Sequence, residues 1–491
     1  MSVRKAFLSE AVKLGTGQIV TQLCSFVRSV ILARLISPEN FGIAATFAMT
    51  YALMEMVSNV SAQTLLVQAP DGDNPSFQGT GHLVIACRGM LSAAVLLVLA
   101  SPVSLLFGVP QARWAFYWIA AIPLLRGFAH LDLSRFQRNM RFTPQIAVDS
   151  ISSLLVTVLA WPLAAWLRNY AAMLWLLLLQ AAFYAIGSHV VAERPYVWTR
   201  RRDYVRRFLV FGWPLLINGL LMYGILQGDR FVIGVSGRVF PQSTFTLTDL
   251  GIYSVAFAVT MAPSTLFTNI ANSLFLPVLA RAQAAPEQFV RRYMACAQIL
   301  AFAAAVIAIP FIVAGHWIVP LVYGPKYSAA GAFIGWLGAM WGTRVFRTAP
   351  TQAALALGDS RNSMIANTAR TTALIGVLIA AATGSGLIWI AICGFSGEVL
   401  ATTVCIWRLW ARHHVAPGLS LAPFAVSGMG MVVALIVQLG TFSRISTLVI
   451  GVVLLAICGG SMVLCFPNLR HNLRGLLRLS TPPVAAQSAR S

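Results

Sequence analysis

Charge is what this sequence has least of. Only 10% of its 491 residues are charged, against 58% hydrophobic, and the mean hydropathy is +0.77. Soluble domains run nearer a quarter charged, which excludes an ordinary soluble globular protein. Acid is the scarcer half: 14 Asp and Glu stand against 35 Lys and Arg, a net charge of +21. In a soluble chain that excess suggests nucleic acid. In a chain this apolar it marks loop anchors at the cytoplasmic face, and nucleic acid is not an expected partner.

Other absences narrow the class further. Ten-residue segments of alternating polarity are missing, which argues against an outer-membrane barrel. The seven cysteines form no C-x-x-C pair and sit mostly in apolar runs, so they read as small hydrophobes and not as metal ligands. No cleavable signal peptide is expected, because Glu10 and Lys13 interrupt the apolar region it needs. "LGTGQIV" lacks a preceding strand and is no phosphate loop, and His413-His414 lacks ligand spacing. No nucleophile-base arrangement is visible. The reading is therefore a non-enzyme with no catalytic residue, no metal and no cofactor beyond a coupling proton or sodium.

What is present is apolar runs of spanning length, about 20 residues each. About fourteen follow one another, from 12–35 and 41–67 through 114–133 and 328–352 to 445–466. Basic residues crowd one set of alternate connections, among them "RFQRNMR" and "ERPYVWTRRRDYVRR", at roughly four times the number in the other set. That predicts a multi-pass membrane protein with both termini cytoplasmic. "APDGDNPSFQGTG" falls in the basic set yet has no Lys or Arg. Connections on the other face are short, with no room for the acid-base loop of a membrane polymerase or ligase.

The chain reads as a duplication. "VRSVILARLISPENFGIAATFAM" is echoed by "GDRFVIGVSGRVFPQSTFTLTDLGIYSVAFAV", which sets Arg28 opposite Asp229 and Gly42 opposite Gly251. Both copies enter from the same side, so they are parallel repeats about an axis along the membrane normal. The expected fold is all-α integral membrane: two pseudo-symmetric six-helix lobes with a central cavity, plus two C-terminal helices. The boundaries are 1–192 for the N-terminal lobe, 193–207 for a basic linker and 208–410 for the C-terminal lobe. Residues 411–470 form the extra helices and 471–491 a basic tail.

Polar residues inside the spans mark the candidate site. Gln18, Thr21, Gln22, Ser25, Arg28 and Ser29 share a sector of about 120° on the first helix, too polar for lipid. Arg34 lies off that sector and anchors the helix end, with Ser37 as N-cap, Pro38 at the first helical position and Glu39 in the first turn. Glu55, Asn59 and Gln63 share one face of the second span, and Asn218 and Asp229 one side of the seventh. The candidate cavity residues are Arg28, Gln22, Ser25, Glu55, Asn59, Asn218, Asp229, Arg230, Arg344 and Arg347. Glu55, Asp229 and Glu398 are candidates for ion coupling. Buried Arg88, Arg126, Arg344 and Arg347 leave two roles open, cavity or intra-lobe pairing. Arginine in excess over carboxylate suits an anionic, phosphate-bearing substrate.

"ILARLISPENFGIAATFAM", "RNMRF", "LGIYSVAFAV" and "PTQAALALGDSRN" resemble the Wzx-type polysaccharide flippases of the multidrug/oligosaccharidyl-lipid/polysaccharide exporter superfamily, over roughly residues 5–410. The resemblance implies a V-shaped cavity and outward flipping of undecaprenyl-pyrophosphate-linked repeat units for exopolysaccharide or lipopolysaccharide synthesis, coupled to an ion gradient. It implies bilayer lipids and a polymerase and chain-length proteins as partners. Arg28 matches the family's cationic first span. The second and eighth spans offer Glu55 and hydroxyls in place of arginine. The alternatives are a cation-coupled multidrug antiporter, which calls for an acidic cleft, and a membrane glycan polymerase or ligase.

Overall fold

The turn after the first helix shows how the chain builds its crossings. In the computed structural model, which describes residues 3–439 and 444–465, α1 (Val3–Leu35) stops just before Ser37. Ser37 Oγ accepts the Asn40 N–H at 3.2 Å and Pro38 opens α2 (Pro38–Ser58). The rest of the described chain is helical too. It runs α3 (Ala62–Gln68), α4 (Pro75–Leu106), α5 (Arg113–Ile119), α6 (Ala121–Gly127), α7 (Asp132–Arg138), α8 (Thr143–Leu167) and α9 (Ala171–Val190). Then come α10 (Arg202–Val239), α11 (Leu247–Ala280), α12 (Pro286–Tyr323), α13 (Ile334–Ala356), α14 (Arg361–Thr371) and α15 (Ala373–Ala382). The series ends with α16 (Leu387–His413), α17 (Gly418–Leu439) and α18 (Arg444–Cys465). Among the described residues, 11 helices are long and apolar enough to cross a membrane.

Two expected crossings are broken. The 41–67 run divides at Asn59, whose Oδ1 accepts the Ser61 N–H at 2.8 Å while Ser61 takes φ 49°. The 114–133 run divides into α5, α6 and the start of α7. There, imidazoles supply the acceptors that a helix would have supplied: His82 Nε2 accepts the Leu131 N–H at 3.0 Å and His130 Nδ1 the Asp132 N–H at 3.0 Å. Unwound backbone at membrane depth survives only where such partners exist.

Packing forms two compact units. The first comprises the described residues within 1–262, 316–333 and 370–394; the second comprises those within 263–315, 334–369 and 395–465. In the first, the two echoed sequences touch. A Cβ on Gly42 would fall on the Leu247 carbonyl, and a Cβ on Gly251 on the Pro38 carbonyl. Each glycine thus meets the carbonyl four residues before the other, the reciprocity of a local two-fold relation. Nearby, the ends of α1 and α12 cap one another. The Arg34 guanidinium donates to the carbonyls of Leu321 and Val322, and Lys326 Nζ to those of Arg34 and Ile36. Cations at helix C-termini are favourably placed against the helix dipole. Burial pulls the Lys326 ammonium below its ordinary range.

The loop without Lys or Arg also finds its reason. Arg207 pairs with Asp71 at 2.8 Å and Arg138 with Asp73 at 3.3 Å, while Arg194 donates to the Asp73 carbonyl. The acids of "APDGDNP" thus receive arginines from the neighbouring connections of the same predicted face. Asp132 fastens the start of the linker by accepting the backbone N–H of Glu193 and Arg194 at 2.7 and 2.9 Å. The Arg135 guanidinium, with Arg141 beside it, holds the Glu193 carboxyl below its usual range.

In the second unit α17 docks on α12 and α13. Ser427 Oγ donates to the Ala301 carbonyl at 2.6 Å and Phe346 stacks on Phe424 at 4.4 Å.

Candidate functional site

The break at Asn59 opens onto a cavity of about 390 Å³ inside the first unit. α1 contributes Gly17, Gln18, Thr21 and Arg28, and α2 contributes Glu55. The unwound Asn59–Val60 step, Gln63 of α3 and Arg88 of α4 form one wall; Arg126 of α6, Asp149 and Ser153 of α8, and Gln180 and Tyr184 of α9 form another. Discontinuous helices are how membrane transporters bring backbone and polar side chains to a binding site.

The charges are arranged unequally. Arg28 is held only by a neutral partner, donating from Nη1 to Gln180 Oε1 at 3.1 Å. Arg88 Nη2 reaches both oxygens of Glu55 at 3.1 Å, with side chains 14% and 26% exposed. Arg126 lies over the Tyr184 ring at 5.2 Å and interacts electrostatically with Tyr51, Glu55 and Asp149. Three guanidiniums against two carboxylates leave the cavity with one net positive charge. Desolvated charge at membrane depth is expensive, so residues kept there usually serve a pathway.

Of the sequence candidates, Arg28, Glu55 and Asn59 therefore meet, in a cavity lined by α1–α4, α6, α8 and α9. Gln22 is half-buried and Ser25 exposed, and neither lines the cavity. The Asn218 side chain lies outside the described residues. Asp229 and Arg230 are elsewhere: Asp229 Oδ1 accepts the Arg230 N–H at 2.8 Å and Oδ2 the Tyr253 hydroxyl at 2.7 Å. Arg230 reaches the Leu226 carbonyl and covers the Phe257 ring at 4.2 Å. The space beside Asp229, shared with Arg370, is about 20 Å³, enough for a water at most.

Arg344 and Arg347 lie on α13 in the second unit. Arg344 covers the Trp341 ring at 5.3 Å. Arg347 donates to Glu398 Oε1 at 2.6 Å and to Asn367 Oδ1 at 3.0 Å. Glu398 is fully buried and Arg347 nearly so, a pair that joins α13, α14 and α16. Breaking one side of such a pair costs about 3–5 kcal/mol, which fits a structural tie. Asp149, Ser153, Gln180 and Tyr184 are polar cavity residues the sequence did not disclose. Asp149 carries the one usable signal, being the only carboxylate in the fifth apolar run.

Comparison with known proteins places this geometry. The sequence profile of the family described as "Polysaccharide biosynthesis protein" matches residues 31–331, more than half of the chain. The succinoglycan biosynthesis transport protein ExoT of Rhizobium meliloti (strain 1021) is 24% identical over 260 residues, 52% of this chain and 50% of the relative. The match thus spans about half the length of that relative. A solved structure of the lipid II flippase MurJ in an inward closed conformation superposes with TM-score 0.67 at 13% identity, covering 93% of this chain and 99% of that one. An inward-facing multidrug resistance transporter of the MATE family, in the MOP superfamily, gives 0.63 at 12% identity, over 87% of this chain and 98% of that one. At these identities the likeness is one of fold. With an all-helical chain of many spanning segments and a family match over most of its N-terminal two-thirds, the protein is a multi-pass membrane protein belonging to the polysaccharide biosynthesis protein family.

Proposed function

We propose that this protein is a flippase for polyprenyl-diphosphate-linked oligosaccharides, moving repeat units outward across the bacterial inner membrane for exopolysaccharide or lipopolysaccharide assembly. The observation that carries this reading is the net-cationic cavity at membrane depth, walled by amides, hydroxyls and unwound backbone. Guanidiniums match phosphate oxygens in geometry and charge. Gln18, Thr21, Asn59, Gln63 and Gln180 supply the donors and acceptors a sugar requires. A prenyl tail stays in lipid, so only the headgroup needs a polar path. Both termini face the cytoplasm on this reading, and a proton or sodium gradient drives the cycle, with bilayer lipid, polymerase and chain-length proteins as partners.

The test is translocation by the purified chain in proteoliposomes. Lipid-linked oligosaccharide loaded in the inner leaflet is expected to become accessible to an external lectin faster than in protein-free vesicles. Equal rates with and without protein, under both proton and sodium gradients, would overturn the proposal.

A further inference from the structure

Resting on the diphosphate reading of the cavity, the geometry points to Glu55 as a tethered competitor for the substrate's headgroup. The two best-placed arginines differ in what holds them. Arg28 has the neutral Gln180 amide oxygen, which any phosphate outbids. Arg88 has a carboxylate, with both Glu55 oxygens at 3.1 Å from one nitrogen. A carboxylate so placed is a phosphate mimic. The headgroup therefore reaches Arg88 only by displacing Glu55, and Glu55 returning to Arg88 helps to expel it. A transporter needs such balance, because a site that grips its cargo too well does not release it.

The groups facing Glu55 make the exchange feasible. Tyr51 on its own helix bonds it, Arg88 pairs with it from α4, and Arg126 lies close enough from α6 to interact electrostatically. Tyr184 faces it from α9, while Asp149 on α8 and Arg28 on α1 complete the ring of charges. A displaced Glu55 has Arg126 to turn to.

The probe is citronellyl-diphospho-N-acetylglucosamine, a short-chain diester that carries the diphosphate and one sugar. Binding is measured to the full chain in detergent. Glu55→Gln is expected to tighten binding of the probe roughly tenfold at neutral pH. In an Arg88→Ala background the same substitution is expected to do little, because the competitor has nothing left to mask. Asp149→Asn removes an equal charge without freeing Arg88 and is expected to tighten binding less.

Glu55→Gln acting equally with and without Arg88, or Asp149→Asn tightening binding as much as Glu55→Gln, would overturn the inference. Either result leaves the cavity reading standing. Wild-type protein that does not bind the probe, or binds it identically after Arg28→Ala, would overturn the cavity reading and the inference with it.

Discussion

Arg28→Ala should lower translocation of the lipid-linked oligosaccharide in proteoliposomes roughly 10- to 100-fold, the worth of one charge-assisted hydrogen bond to a buried anion. The protein should still insert and purify, since Arg28 makes one hydrogen bond, to Gln180, and Gln180 keeps its place on α9 without it. Arg28→Lys should recover part of the rate but not all. An ammonium restores the charge without the planar fork that meets two phosphate oxygens at once. Full activity in Arg28→Ala at equal protein per vesicle would remove this residue from the path.

The second large effect concerns the contact between the repeats. Gly42→Ala and Gly251→Ala each place a methyl group on a backbone carbonyl, which cannot rotate away as a side chain can. α2 and α11 must separate, and overpacking of this kind costs about 1–3 kcal/mol. The double variant should cost little more than either single one, because one separation relieves both clashes. Thermal unfolding in detergent reads this directly. Additive losses would mean that the two glycines act independently, and neutral singles would mean that the helices are not held this close.

Several of these features were legible in the sequence for physical reasons. The Ser37 cap and Pro38 start follow from local backbone chemistry, and the structure has both. The echo that sets Gly42 opposite Gly251 was readable because close backbone approach tolerates only one residue type, and the structure seats the pair together. Apolar periodicity located the long helices of the described chain but not α7, whose "RFQR" reads as part of a basic connection. It did not locate the breaks at Asn59 and ahead of Asp132, because their acceptors come from side chains, and for Leu131 from His82, distant in sequence.

The site divided similarly. Glu55 and Asn59 joined Arg28 because helical spacing keeps them on one face. Which partner Arg28 finds was not readable: its guanidinium turns to Gln180 of α9, more than 150 residues away. Asp229 illustrates the same limit. Its alignment with Arg28 suggested a shared cavity, yet Tyr253 and the Arg230 N–H satisfy its oxygens. Which partner a buried charge finds is decided by tertiary packing, and a single sequence does not state it.

The central claim is that the diphosphate headgroup occupies the hollow lined by Arg28, Arg88 and Arg126. Its most direct test is protection of a cysteine placed there. In a background with all native cysteines replaced, Asn59→Cys should react with an anionic methanethiosulfonate. Citronellyl-diphospho-N-acetylglucosamine should slow that reaction, while leaving a cysteine at the exposed Ser360 unaffected. Labelling of Asn59→Cys at the same rate with and without saturating ligand would contradict the account.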